Sequence, residues 1–271
     1  MRVAALSAKR DWPQPSAGAI VVCCAVAAAI AAAALGEQVG VAVGLGFFAA
    51  GLSHGAAEES REQISRIGLP QAIAYLLIAA AVAGLLLAQP MAGLTLFLAL
   101  SGWHFVQDEG GFGLASRYAL AGLTVGGSAL FQPEATSQVF SALMGQEVHP
   151  SVIPALAVVG AGGALCLLPA IHRREAGAGI AILSLAAVAA LSPVLAVGLV
   201  FLIGHAAPVQ SAQIERYGLS AVRNAVLLPT VIAMGGAVLL VAGVFLSLVP
   251  LPIAAALAIG LATPHMLAGR L

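Results

Sequence analysis

Charge is nearly absent from this sequence: Asp, Glu, Lys and Arg together make up 8% of it, against 61% hydrophobic residues and a mean hydropathy of +1.04. A water-soluble domain carries roughly 25% charged residues, so this composition excludes one. The few charges cancel, eleven basic against eleven acidic. With no basic patch to meet a phosphate backbone, a nucleic-acid partner is excluded as well. The three cysteines, Cys23, Cys24 and Cys166, lie inside apolar runs with no CxxC spacing, which reads as buried thiols rather than disulfides or metal ligands. A GxSxG elbow, an HExxH pair and a P-loop are also missing, so hydrolase and nucleotide chemistry find no support.

What is there is a series of long apolar runs rich in Gly and Ala, small residues that let transmembrane helices approach closely. At about 20 residues per span they predict an all-α, polytopic transmembrane helical bundle, a single integral membrane domain over residues 1–271. About ten spans are expected, at 17–35, 39–57, 70–88, 91–107, 114–131, 151–171, 176–191, 193–207, 223–246 and 251–267. Only Leu191-Ser192-Pro193 divides the seventh from the eighth, so eight or nine is the alternative count. With ten spans and a cytoplasmic N-terminus, all eleven Lys and Arg fall on the cytoplasmic side. The positive-inside bias therefore predicts a multi-pass inner-membrane protein with both termini cytoplasmic and an uncleaved first helix.

Against this background GLSHGAAEE, residues 51–59, holds His54 and Glu58, and SGWHFVQDE, residues 101–109, holds His104 and Asp108. His205 in LIGHAAP and His265 in TPHML complete a set. Measured from the outer start of each span, the four lie about 12 to 15 residues deep, one layer about 5 Å thick near the cytoplasmic face. Ionisable groups at such depth usually face the bundle interior and mark function. A cluster of neutral imidazoles is a candidate metal site suited to zinc, copper, nickel or non-haem iron rather than magnesium or calcium. Glu58 and Asp108, each four residues beyond a histidine, are expected on the same helix face, where they would accept the second ring N–H of a ligating histidine. The plainer reading of any one such histidine is a hydrogen bond to a neighbouring helix. His149, in a loop, and His172, beside Arg173 and Arg174, read as ordinary loop and interfacial residues. A transporter would need a polar path to the outer face, where the spans are almost wholly Ala, Val, Leu and Gly.

SHGAAEE, GWHFVQDE, LIGHAAP and TPHML, in that order, resemble the motifs of the Brp/Blh family of membrane-embedded β-carotene 15,15'-dioxygenases, which cleave β-carotene into two retinals. The resemblance spans most of the chain. His54-Gly55 with Glu58 matches a His-Gly pair followed by an acid, usually Asp; Trp103-His104-Phe105 with Asp108 matches an aromatic-His-Phe motif with an acid beyond; Pro264-His265 matches a Pro-His pair near the C-terminus. The resemblance implies Fe(II) held by His54, His104, His205 and His265, with Glu58 and Asp108 as the supporting carboxylates of the catalytic site. It further implies dioxygen as co-substrate, a carotenoid taken from the lipid membrane along a groove lined by Gly and Ala, aromatic neighbours such as Phe47, Phe48, Trp103, Phe105 and Phe201, and a retinal-binding rhodopsin downstream. One position departs from the pattern. The family's third motif carries a second histidine four residues past the first, and here Val209 stands at that place. Either His265 completes the site, or three histidines hold the metal, or the chemistry has changed. The alternative function is thus a non-catalytic carotenoid or retinal binding or transfer protein derived from the family.

Overall fold

A computed structural model describes residues 17–55, 58–59, 64–65, 68–107 and 111–268. Its elements are α1 (Ala17–Leu35), α2 (Glu37–Gly51), β1 (Glu58–Glu59), β2 (Ile64–Ser65), α3 (Leu69–Ala88), α4 (Pro90–Gln107), α5 (Leu114–Gly122), α6 (Ser128–Phe131), α7 (Pro133–Met144), α8 (Val152–His172), α9 (Ala178–Ala190), α10 (Pro193–Phe201), α11 (Ala207–Tyr217), α12 (Leu219–Phe245) and α13 (Leu251–Ala268). β1 and β2 form a two-residue antiparallel ladder, and helix makes up nearly all of the rest. Breaks fall where the backbone requires them. Gly36 (φ 109°) and Gly218 (φ 81°) separate consecutive helices in a conformation that a side chain opposes. Pro90 and Pro193 open α4 and α10, where a missing N–H costs no helical bond.

Among the described residues five helices are long and apolar enough to cross a membrane: Gly18–Leu35, Leu69–Ala88, Val152–His172, Pro193–Tyr217 and Leu219–Phe245. Three apolar helices are shorter, Glu37–Gly51, Ala178–Ala190 and Leu251–Leu267. The helical membrane bundle stands, but the expected count of about ten spans is not met. The 13 residues of α9 rise only about 20 Å, against a hydrocarbon core of about 30 Å. The second expected span is cut short because α2 ends at Gly51 and tightens into a 3-10 turn, Leu52–Gly55. The eighth instead runs on past residue 207 to Tyr217. Pro208 offers no N–H to the Gly204 carbonyl and its ring crowds that oxygen. The helix widens there into a π turn, Leu202–Ala206, in which the Ala207 N–H bonds the Leu202 carbonyl, and α11 continues beyond it.

Large apolar side chains on the outer faces, such as Leu228, Ile232 and Leu239 on α12, meet lipid, so hydrophobicity does not hold the helices together; close packing does. Cys23 and Cys24 also lie on an exposed face, correcting the expectation of buried thiols. Several glycines serve close helix contact. A Cβ on Gly44 in α2 would lie 2.6 Å from the Val194 carbonyl oxygen of α10, and one on Gly122 would lie 2.7 Å from Gly163 Cα of α8. At both contacts backbone meets backbone. A second π turn, Leu123–Gly127, joins α5 to α6 along the same glycine seam with α8.

Candidate metal centre

α2 and α10 pack in parallel. Gly40 faces Ser192, Gly44 faces Leu195 and Gly51 faces Phe201, so residue numbers rise together along both helices. The next step down the pair brings His54, in the 3-10 turn, to His205, in the π turn, with their Nε2 atoms 3.1 Å apart. His104 arrives from the end of α4 and His265 from the end of α13. Those helices touch one turn away, where Ser101 Oγ lies 3.7 Å from the Met266 sulfur.

The four imidazoles form a closed ring in which each meets two neighbours edge to face. Centroids are 4.7 Å apart for His54 and His205, 4.8 Å for His205 and His104, 4.7 Å for His104 and His265, and 4.5 Å for His265 and His54. One nitrogen of each lies within 4.8 Å of the others. Whether a metal ion suits this ring is tested by its hydrogen bonds. His54 Nδ1 lies on the Gly51 carbonyl oxygen. A carbonyl only accepts, so Nδ1 carries the proton and Nε2 presents a lone pair. His104 Nε2 and His265 Nε2 are buried with no hydrogen-bond partner among the described residues, a cost of about 1–3 kcal/mol for each group left unsatisfied. A cation among the four nitrogens removes that cost. Imidazole nitrogens sharing one ion at about 2.1 Å are at most about 4.2 Å apart, so the ring needs to close by only about 0.6 Å. All four donors are neutral nitrogens, the set that suits iron, zinc, copper or nickel. The residues fit a metal.

Packing holds the ring in place. Gln213, buried on α11, donates from Nε2 to the His54 carbonyl at 3.2 Å. Gly55 faces the His265 imidazole so closely that a methyl group there would overlap it. Phe201 stacks on Phe48 with centroids 5.4 Å apart and stands 5.7 Å from His54, while Phe105 stands 4.6 Å from His205. Of the other expected aromatics, Phe47 belongs to the apolar core beside Leu195 and Leu199.

The carboxylates are placed differently from expectation. Glu58 sits in β1 rather than on a continuation of α2, because the helix has already ended at Gly51, so a four-residue helical spacing does not relate it to His54. Asp108 lies outside the described residues. His149 bonds Ser151 in the exposed loop before α8, and His172 is exposed at the end of α8, both away from the ring. Sequence reasoning missed Gln213 because the span was expected to stop at residue 207. Its signal was an amide eight residues past His205, two helical turns along the same face.

A family model described as Beta-carotene 15,15'-dioxygenase matches residues 45–271, a stretch that includes all four ring histidines. No curated protein and no solved structure matches the chain.

Proposed function

The chain belongs to the beta-carotene 15,15'-dioxygenase family, and from that membership we propose that it cleaves a carotenoid, β-carotene to retinal, at an Fe(II) held by His54, His104, His205 and His265. The observation that carries the reading is the closed ring of four imidazoles with two buried, unpartnered Nε2 atoms. The reaction balances without a reductant: one central C=C bond breaks, and each of its carbons takes one oxygen atom of dioxygen. Ferrous iron, when bound, supplies the unpaired electrons that let ground-state dioxygen react with a closed-shell polyene.

The chain's own residues do the rest. Gly51 holds the proton of His54 on Nδ1 and keeps Nε2 free to ligate. Phe48, Phe201 and Phe105 form an aromatic layer beside the ring, the kind of surface on which a flat conjugated rod stacks. A substrate so apolar arrives laterally from lipid, which places the enzyme in the membrane that dissolves it. In this reading the protein is a single domain of the inner membrane with both termini cytoplasmic, its shorter apolar helices complete the passes that the five long ones begin, and the retinal passes to a rhodopsin. Glu58 and Asp108 are proposed as the carboxylates that offset the ion's charge. Closure of the ring through His265, without residue 209, supports an enzyme over a carotenoid or retinal binding or transfer protein.

The test is expression in a bacterium engineered to make β-carotene, with pigments extracted and metal content measured. Retinal should accumulate with the wild type and not with His205→Ala, and purified protein should carry about one iron per chain. Iron-free protein that copurifies with intact carotenoid would replace the enzyme with a binding protein.

A further inference from the structure

A small, partly open cavity of ≈ 20 Å³ lies between the end of α4, α5, the second π turn and the start of α11, with His205 in its wall. Most of the remaining wall is apolar, contributed by Phe105, Phe112, Leu120 and Val209. Thr124 Oγ1 donates to the Leu120 carbonyl at 2.7 Å and Arg117 Nη1 to the Val106 carbonyl at 3.1 Å. The cavity has room for about one water-sized molecule, so a C40 rod does not fit here, whereas a diatomic does. The cavity also lies apart from the Phe48 and Phe201 stack, none of whose residues line it.

We propose that this cavity is the route by which dioxygen reaches the histidine ring, and that Val209 sets its width; the proposal rests on the reading of the chain as a dioxygenase. Apolar walls take up dioxygen more readily than water does, so Phe105, Phe112, Leu120 and Val209 beside His205 favour it close to the ring. Val209 stands one helical turn past His205, and its branched side chain forms the wall beside the ring. The paths of the two substrates then meet at Phe105, which belongs to the aromatic layer and also lines the cavity.

Two substitutions of opposite sense test this. Val209→Phe fills the cavity and Val209→Ala widens it. Crystals under xenon pressure report whether the cavity is a dry, accessible space. The rate at which nitric oxide, a diatomic of similar size, enters ferrous-loaded protein is followed by absorbance in stopped flow. Xenon should occupy the wild-type cavity and be absent from Val209→Phe. Nitric oxide entry should slow about tenfold in Val209→Phe, equivalent to about 1.4 kcal/mol of added barrier, and quicken in Val209→Ala, with iron content unchanged in both. If Val209→Phe does not fold, Val209→Ala decides by itself. A wild-type cavity that takes no xenon, or entry rates indifferent to residue 209, overturns the proposal. Failure of the dioxygenase reading is distinct: iron-loaded protein would admit nitric oxide at a rate dependent on Val209 and still make no retinal.

Discussion

Gly55→Ala isolates the metal ring from the fold that carries it. A Cβ at residue 55 would lie 2.5 Å from both Cγ and Cε1 of His265, and nearer still to its Nδ1. Carbon atoms pack comfortably at about 3.5–4.0 Å, so the imidazole has to retreat by about 1 Å. Metal–ligand distances hold within about 0.2 Å, so a 1 Å retreat breaks the bond to His265. Losing a group that merely supports a ligand weakens metal binding about 10- to 100-fold, and losing a ligand sets 100-fold as the lower bound expected here. The fold should suffer far less. Overpacking costs about 1–3 kcal/mol, here confined to the 3-10 turn after α2. Anaerobic titration of Fe(II) against a chromophoric chelator measures the affinity, and circular dichroism in detergent measures the helix. Gly46→Ala is the control, since nothing lies within 4 Å of a Cβ at that position. A Gly55→Ala protein with intact helix and iron affinity within a factor of about two of wild type would show that His265 does not ligate from the position described here.

Gln213→Leu removes the donor to the His54 carbonyl; one hydrogen bond is worth about 1 kcal/mol, so iron affinity should fall about fivefold in the same titration, and no change would mean the 3-10 turn holds itself. Gly163→Leu drives a side chain into the Gly122 and Leu123 backbone and should lower stability in detergent by about 1–3 kcal/mol or more, whereas Gly162→Ala, with nothing within 4 Å of its Cβ, should be neutral or slightly stabilising; equal thermal shifts for the two would contradict the glycine seam. Reporter fusions after Gln146 should mark the outer side of the membrane if every Lys and Arg faces the cytoplasm, and a cytoplasmic signal there reverses the orientation.

The short ladder of β1 and β2 shows where local reasoning ended. From sequence, Glu58 looked like the next turn of a helix through His54, because nothing in GLSHGAAEE forbids one. Packing decided otherwise. Gly51 lies against the Phe201 ring and Gly55 against His265, two approaches made by residues far away in the chain. Pro208 is the converse case. It reads as a helix end, yet the helix absorbs it in a π turn because neighbouring helices on both sides keep the backbone on course.

The sequence by itself determined that the chain is a helical membrane protein and that four histidines share one depth. Both follow from local quantities, since apolar run length sets a helix along the bilayer normal and residue count sets depth along it. Depth says nothing about which way a side chain points around its helix axis. Whether His54 and His205, 151 residues apart, share a point depends on the rotation and register of α2 against α10, and so on Gly44 meeting the α10 backbone. The tautomer of His54 depends on the Gly51 carbonyl, and the seat of His265 depends on Gly55 having no side chain. Only the tertiary structure decided these, because each is a contact between groups whose directions are set by the packing of whole helices.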